Sequence, residues 1–275
     1  MPDSFELPLQ HDCVASRGAL LAVGSSALGG NDWEGTVTFF AEDFAHCRGA
    51  VHIPAGVPCV AWMTEEVLAA ACDDGVARIV VDGRTGAWNE AASVGLHDSV
   101  VAGVACSGNL LCTASWDGTC KLFDVGEGRT AGAPVMTLKH TDGFNAVVWT
   151  SPTTLAAAAS DCVVLWDTRA SDPARKRTFA SRPTSLAFDG HRVVAGFANG
   201  DVVRLAASTE EGDEKVCKHA AKVCALAAGE AGALLSGSDD GVVFGLGEHR
   251  DFVRGACFWR GRPLTASWDG LLTLW

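Results

Sequence analysis

Leu110-Leu111-Cys112-Thr113-Ala114-Ser115-Trp116-Asp117-Gly118-Thr119-Cys120-Lys121-Leu122-Phe123 is the stretch that decides the fold. Two apolar runs, Leu110–Ala114 and Cys120–Phe123, flank an Asp-Gly pair. Asp-Gly and Asn-Gly reach the positive φ that a tight hairpin turn needs, so the stretch reads as two antiparallel strands. An acid or amide followed by Gly, or its remnant, recurs at Glu34-Gly35, Asp74-Gly75, Asp161-Cys162, Asn199-Gly200, Asp240-Gly241 and Asp269-Gly270. The second residues of these seven pairs are 40, 43, 44, 38, 41 and 29 positions apart. A period of about 40 residues with short strands between turns predicts a β-propeller.

The 275 residues hold seven such units and leave no room for a second domain. The chain therefore reads as one all-β, seven-bladed propeller over 1–275, with repeats at 17–53, 54–96, 97–139, 140–181, 182–218, 219–248 and 249–275. A chain of this length buries roughly 75% of its unfolded surface, so neither disulfide nor metal is needed to hold it. No segment sustains a 3.6-residue apolar period, which predicts almost no helix. Trp275 ends a third strand, and residues 1–16 precede the first repeat; Phe5–Gln10 is expected to supply the missing outer strand and close the ring.

Composition narrows the setting. The 48% hydrophobic content comes in short runs, none long enough for a spanning helix. The acidic start, Met1–Glu6, has no apolar signal sequence. Eleven Cys, none in a Cys-x-x-Cys pair and most inside apolar runs, read as buried reduced thiols, which implies cytosol or nucleus. A net charge of −12 argues against nucleic acid and suits a basic protein partner. The runs 83–95, 125–134, 168–181 (basic) and 208–215 (acidic) read as surface links between third and outer strands.

Four His residues stand at a near-constant distance before a turn Asp: His97 and Asp117, His140 and Asp161, His219 and Asp240, His249 and Asp269. Ser115, Ser238 and Ser267 precede the Asp by two positions, and Trp166 and Trp275 follow it. Ser, His and Asp together suggest a hydrolase triad. Repetition argues otherwise, since a catalytic site needs one nucleophile in one cleft while this set recurs once per unit. It reads as a structural hydrogen-bond network, with His249, Ser267, Asp269 and Trp275 as its full set. There is no phosphate loop, no dinucleotide fingerprint and no clustered metal ligands, so no cofactor or metal is expected.

This arrangement of His, turn Asp, strand Ser and closing Trp resembles the WD-repeat family, and Val163-Val164-Leu165-Trp166-Asp167 carries the family's Trp-Asp ending. The resemblance covers the whole chain, although the second, fifth and sixth units lack the Trp and Asp161 lacks its Gly. It implies a rigid binding platform. The unusual surface is then the long turn Gly24–Gly35 of the first unit, where Trp33 either folds back onto the blade or stands out as an anchor. Phe252, in His249-Arg250-Asp251-Phe252-Val253-Arg254, reads as a rim residue or an inward-facing one. Ring closure is expected to bring Trp33 and Phe252 into one patch.

Ala19–Gly29 with Trp33-Glu34-Gly35, and His249–Arg254 with Trp268-Asp269, resemble the first and last blades of the methylosome WD-repeat subunits. That resemblance implies a non-catalytic adaptor in the cytoplasm and nucleus. It would dock on a type II protein arginine methyltransferase and help present basic substrates, histones and Sm proteins, for symmetric dimethylation. The contacts it implies are Trp33 and Phe252, with their neighbours Asp32 and Arg250. The other reading is a scaffold or substrate receptor in a ubiquitin-ligase or chromatin complex.

Overall fold

The computed structural model describes the chain except at residues 1, 30–31, 84–86, 95–96, 127–132, 171–172, 174 and 207–210. Of residues 28, 29 and 32 it describes the backbone alone. A single N-terminal strand, β1 (Asp3–Glu6), precedes the first blade, which is β2 (Gln10–Arg17), β3 (Leu20–Gly29), β4 (Asp32–Ala41) and β5 (Asp43–Ile53). The second is β6 (Cys59–Trp62), β7 (Val67–Ala71), β8 (Ala77–Asp82) and β9 (Trp88–Val94). The third is β10 (Val101–Ser107), β11 (Leu110–Ser115), β12 (Thr119–Asp124) and β13 (Met136–Lys139). The fourth is β14 (Phe144–Ser151), β15 (Thr154–Ala159), β16 (Cys162–Asp167) and β17 (Arg175–Thr178). The fifth is β18 (Pro183–Phe188), β19 (Val193–Phe197), β20 (Asp201–Arg204) and β21 (Glu214–Lys218). The sixth is β22 (Val223–Ala228), β23 (Leu234–Ser238), β24 (Val242–Val243) and β25 (Gly247–Glu248), and the seventh starts with β26 (Val253–Trp259), β27 (Arg262–Ser267) and β28 (Leu271–Leu274).

Each blade is a four-stranded antiparallel sheet, and β1 completes the seventh by pairing with β28, Asp3 opposite Leu274 and Glu6 opposite Leu271. The closing segment is therefore Asp3–Glu6 and not Phe5–Gln10. Gln10 already opens β2, so the first repeat begins well before the expected residue 17. The linkers read as polar surface also change: 83–95 contains the outer strand β9, 168–181 contains β17, and 208–215 runs into β21. Residues 127–132 of the 125–134 link lie outside the described residues.

The innermost strands, β2, β6, β10, β14, β18, β22 and β26, touch one another around a central channel. Aliphatic, aromatic and sulfur-bearing side chains fill the space between blades, as in the cluster of Leu21, Val23, Phe40, Cys257, Trp259 and Leu264 that joins the last blade to the first. Indole N–H groups stitch neighbours together: Trp62 to Ala15 O at 3.0 Å, Trp149 to Ala105 O at 3.1 Å and Trp259 to Ala19 O at 2.9 Å. Five turn glycines, Gly75, Gly118, Gly200, Gly241 and Gly270, hold φ between +80° and +88°. Glu34-Gly35 is not a turn. It lies within β4, and β3 and β4 pair without a break from Leu20 opposite Ala41 to Gly29 opposite Asp32. Gly35 is needed for a different reason, because a Cβ there would collide with Ala55 O and Val57.

Candidate functional site

One face carries the turns between second and third strands and the links into each new blade. The turn Asp ties these together. Asp269 Oδ1 accepts Leu271 N–H at 3.0 Å within its own turn, while Oδ2 takes Arg250 N–H at 2.9 Å and His249 Nδ1 at 3.1 Å. With Nδ1–H donating to the carboxylate, Nε2 is left to accept from Thr265, whose Oγ1 is 2.8 Å away. Thr265 Oγ1 in turn accepts Trp275 Nε1–H at 2.9 Å. In the third blade Asp117, His97 and Thr113 repeat the set at 2.9 and 2.8 Å.

The strand hydroxyl that meets His is thus Thr265 or Thr113, not Ser267 or Ser115. Those serines take the turn N–H of Asp269 and Asp117 and donate to Asp251 O and Ser99 O. In the sixth blade His219 Nε2 meets Ser236 at 2.9 Å, and Asp240 stands 3.6 Å from Nδ1, outside hydrogen-bond reach. Ser238 receives Asp240 N–H and Phe244 packs edge-on against the imidazole. The first blade holds a further member, His11, on Ser25 Oγ and Gly270 O. The second has no such His; Arg78 grips Asp74 through two nitrogens at 3.1 and 2.6 Å.

The fourth blade departs most. His140 and Asp161 make no hydrogen bond with each other; His140 Nε2 faces Cys162 Sγ at 3.5 Å and Lys176 Nζ at 3.2 Å. Trp166 is buried against Phe144. The sequence shows no metal-ligand spacing here, yet the ligand-type atoms of His140, Asp161 and Cys162 all lie within 4.8 Å of one another.

Electrostatics fit a structural network. Burial outweighs the pull of the carboxylates and holds His97, His219 and His249 below the ordinary imidazole range, so they are neutral. Burial works to raise Asp117, but hydrogen bonds from Thr119, His97 and two backbone N–H groups bring it down to about 2. All eleven cysteines are free, and burial pushes the thiols of Cys72 and Cys257 up to about 12, which makes them inert packing groups.

Two aromatic sites stand on this face. Trp33 is 47% exposed near the tip of the β3–β4 hairpin, opposite Leu28. It borders a hollow with Glu34, His52, Pro54, Asp73 and Asp74. Asp74 is already paired with Arg78, and an indole beside the two further carboxylates, Glu34 and Asp73, suits a cationic segment. Phe252 is half-buried, 5.4 Å from Trp268, and the Arg254 guanidinium lies over both rings at 5.0 and 4.5 Å. Arg254 is fixed by Asp239 and Cys224, and Trp268 donates to Asp12. Asp12, Cys224, Arg254 and Trp268, with Trp116, Arg182 and Lys222, line a depression of about 500 Å³ at the channel mouth. Trp116 is 56% exposed there.

Trp33 and Phe252 do not form one patch. Trp33 borders the second blade with Pro54, Asp73 and Asp74, while Phe252 packs on Trp268 and Arg254 of the sixth-to-seventh blade side. Of their neighbours, Arg250 is exposed with its N–H held by Asp269, and the Asp32 side chain lies outside the described residues.

Seven antiparallel blades about a channel, stitched by His, Asp and hydroxyl groups, define a β-propeller. The family model described as WD domain, G-beta repeat matches residues 91–124, which run from β9 to the end of β12. The protein is an all-β, seven-bladed propeller in which residues 91–124 match a WD40 repeat. A comparison with curated proteins returned no match. No helix among the described residues is long and apolar enough to cross a membrane.

Proposed function

We propose that this propeller is a non-catalytic docking subunit whose anchor is Trp33. WD40 propellers typically serve as scaffolds for protein interaction, and the observation that carries the reading is a large indole left exposed on a hairpin whose pairing runs ten residues along each strand. The acidic hollow beside Trp33 favours a partner that offers a cationic segment. The likeness of Ala19–Gly29 and His249–Arg254 to methylosome WD-repeat subunits supports a type II protein arginine methyltransferase as the partner, and basic proteins such as histones and Sm proteins as the substrates it helps present in cytoplasm and nucleus. Trp33→Ala should weaken that association by about 2 kcal/mol or more, as loss of a central Trp does. Calorimetry with the purified methyltransferase measures it, and an unchanged melt shows that folding is spared. Equal affinity for mutant and wild type would sink the proposal.

The exposed Trp116 at the channel mouth favours a second reading, a scaffold or substrate receptor in another complex. Co-purification from the native cell separates the two: recovery of the methyltransferase supports the first, and its absence beside a ubiquitin-ligase or chromatin component supports the second.

A further inference from the structure

The fourth blade lacks the hydroxyl that steadies His elsewhere. Thr113, Ser236 and Thr265 each stand four residues before the turn Asp, and the same place before Asp161 is Ala157. The turn has also lost its Gly, which sets Cys162 at the head of β16, opposite Thr178. That is the place Thr119 holds in the third blade, opposite Lys139. There Thr119 meets His97 Nδ1 at 3.0 Å. In the fourth blade a buried sulfur, an imidazole and a carboxylate converge instead.

We propose that His140, Asp161 and Cys162 form a site for Zn²⁺ or a similar divalent transition metal. Imidazole nitrogen, thiolate sulfur and carboxylate oxygen together are the donor set that zinc prefers over hard cations such as Ca²⁺ and Mg²⁺. The spacing fits. With Zn–S of about 2.3 Å and Zn–N of about 2.0–2.1 Å at a tetrahedral angle, sulfur and nitrogen should be about 3.5 Å apart. Cys162 Sγ and His140 Nε2 are 3.5 Å apart.

Asp161 is exposed, so its carboxylate closes the third corner from the solvent side and water takes the fourth. Lys176 Nζ sits 3.2 Å from Nε2, but Lys176 is an exposed chain on β17 and swings out when a cation enters. Loading releases the Cys162 thiol proton to solvent, places the ring proton of His140 on Nδ1, and gives up the 3.2 Å contact from Asp142 N–H. The metal would then join the link ahead of β14 to the start of β16, the join that Asp117 and His97 make in the third blade.

The full chain, stripped with chelator and titrated with Co²⁺, provides the test. Wild type should develop a thiolate-to-Co²⁺ charge-transfer band with the intense visible bands of four-coordination, and Zn²⁺ should bleach both. Cys162→Ser should lose the charge-transfer band. Asp161→Asn changes only an exposed side chain, so it keeps the fold and should bind more weakly. Cys47 is exposed beside His46 and Asp43 and is the competing thiol, so Cys47→Ser is the control: it should keep the band, and loss of the band there would overturn the site. No band in wild type, a band that survives Cys162→Ser, or undiminished binding by Asp161→Asn would each overturn the site.

Discussion

Thr265 shows how much one side chain can carry. Its hydroxyl accepts from Trp275 and meets His249, so removing it strands two buried groups while leaving the shape nearly unchanged. Thr265→Val should cost about 1–3 kcal/mol in urea unfolding, the penalty for buried polar groups without partners. Binding through Trp33 should be untouched. The neutral imidazoles also predict acid sensitivity. His97, His219 and His249 are held below the ordinary 6.5, so as pH falls through that value the unfolded chain takes up protons that the folded chain refuses. Their contribution is whole above 6.5 and is lost below it. A second loss follows as pH falls from 3.8, because Asp117, Asp240 and Asp269 sit lower when folded, Asp117 at about 2. Urea midpoints measured against pH should show both descents, and His97→Gln with His249→Gln should flatten the first.

At the scale of the strand, the first hairpin separates two demands that glycine can answer. Gly118 is required for its positive φ, Gly35 for the close approach of Ala55 O. In sequence both look like an acid-Gly pair, which is why Glu34-Gly35 reads as a turn and the stretch before it as a loop. The other Gly pairs are legible because each glycine holds a positive φ, and at Gly75 and Gly200 a Cβ would also meet a backbone oxygen. Gly35→Ala should force β4 away from the second blade's entry and tilt the hairpin, lowering both the melting temperature and the affinity carried by Trp33. Differential scanning calorimetry and partner titration would detect the paired loss. The His partners were only half legible. Residues i and i+2 of a strand share a face, so spacing alone does not choose Thr113 over Ser115. His11 escapes notice because its blade has no Asp turn to count back from. The short interval of 29 has its cause in the sixth blade, where β24 and β25 are two residues each.

Across the whole molecule, closure depends on four residues. β1 covers the edge of β28, and Phe5 packs against Phe40 and Phe44 of the first blade at 5.6 and 5.2 Å. Removing residues 3–6 should cost about 1 kcal/mol or more and lower the melting temperature by roughly 2 °C or more, from loss of the half-buried Phe5 alone. An unchanged melt would contradict a closing role. The same pairing sets an order in time. β1 is made before every other strand of the ring, and its partner at residues 271–274 after all of them. Every other blade can assemble from neighbouring segments as it emerges. The ring itself stays open until synthesis has passed the seventh blade, with two bare sheet edges available to other chains throughout. Slow translation of the distal half, or a shortage of chaperones that shield strand edges, should therefore favour aggregation over closure far more than it disturbs any single blade.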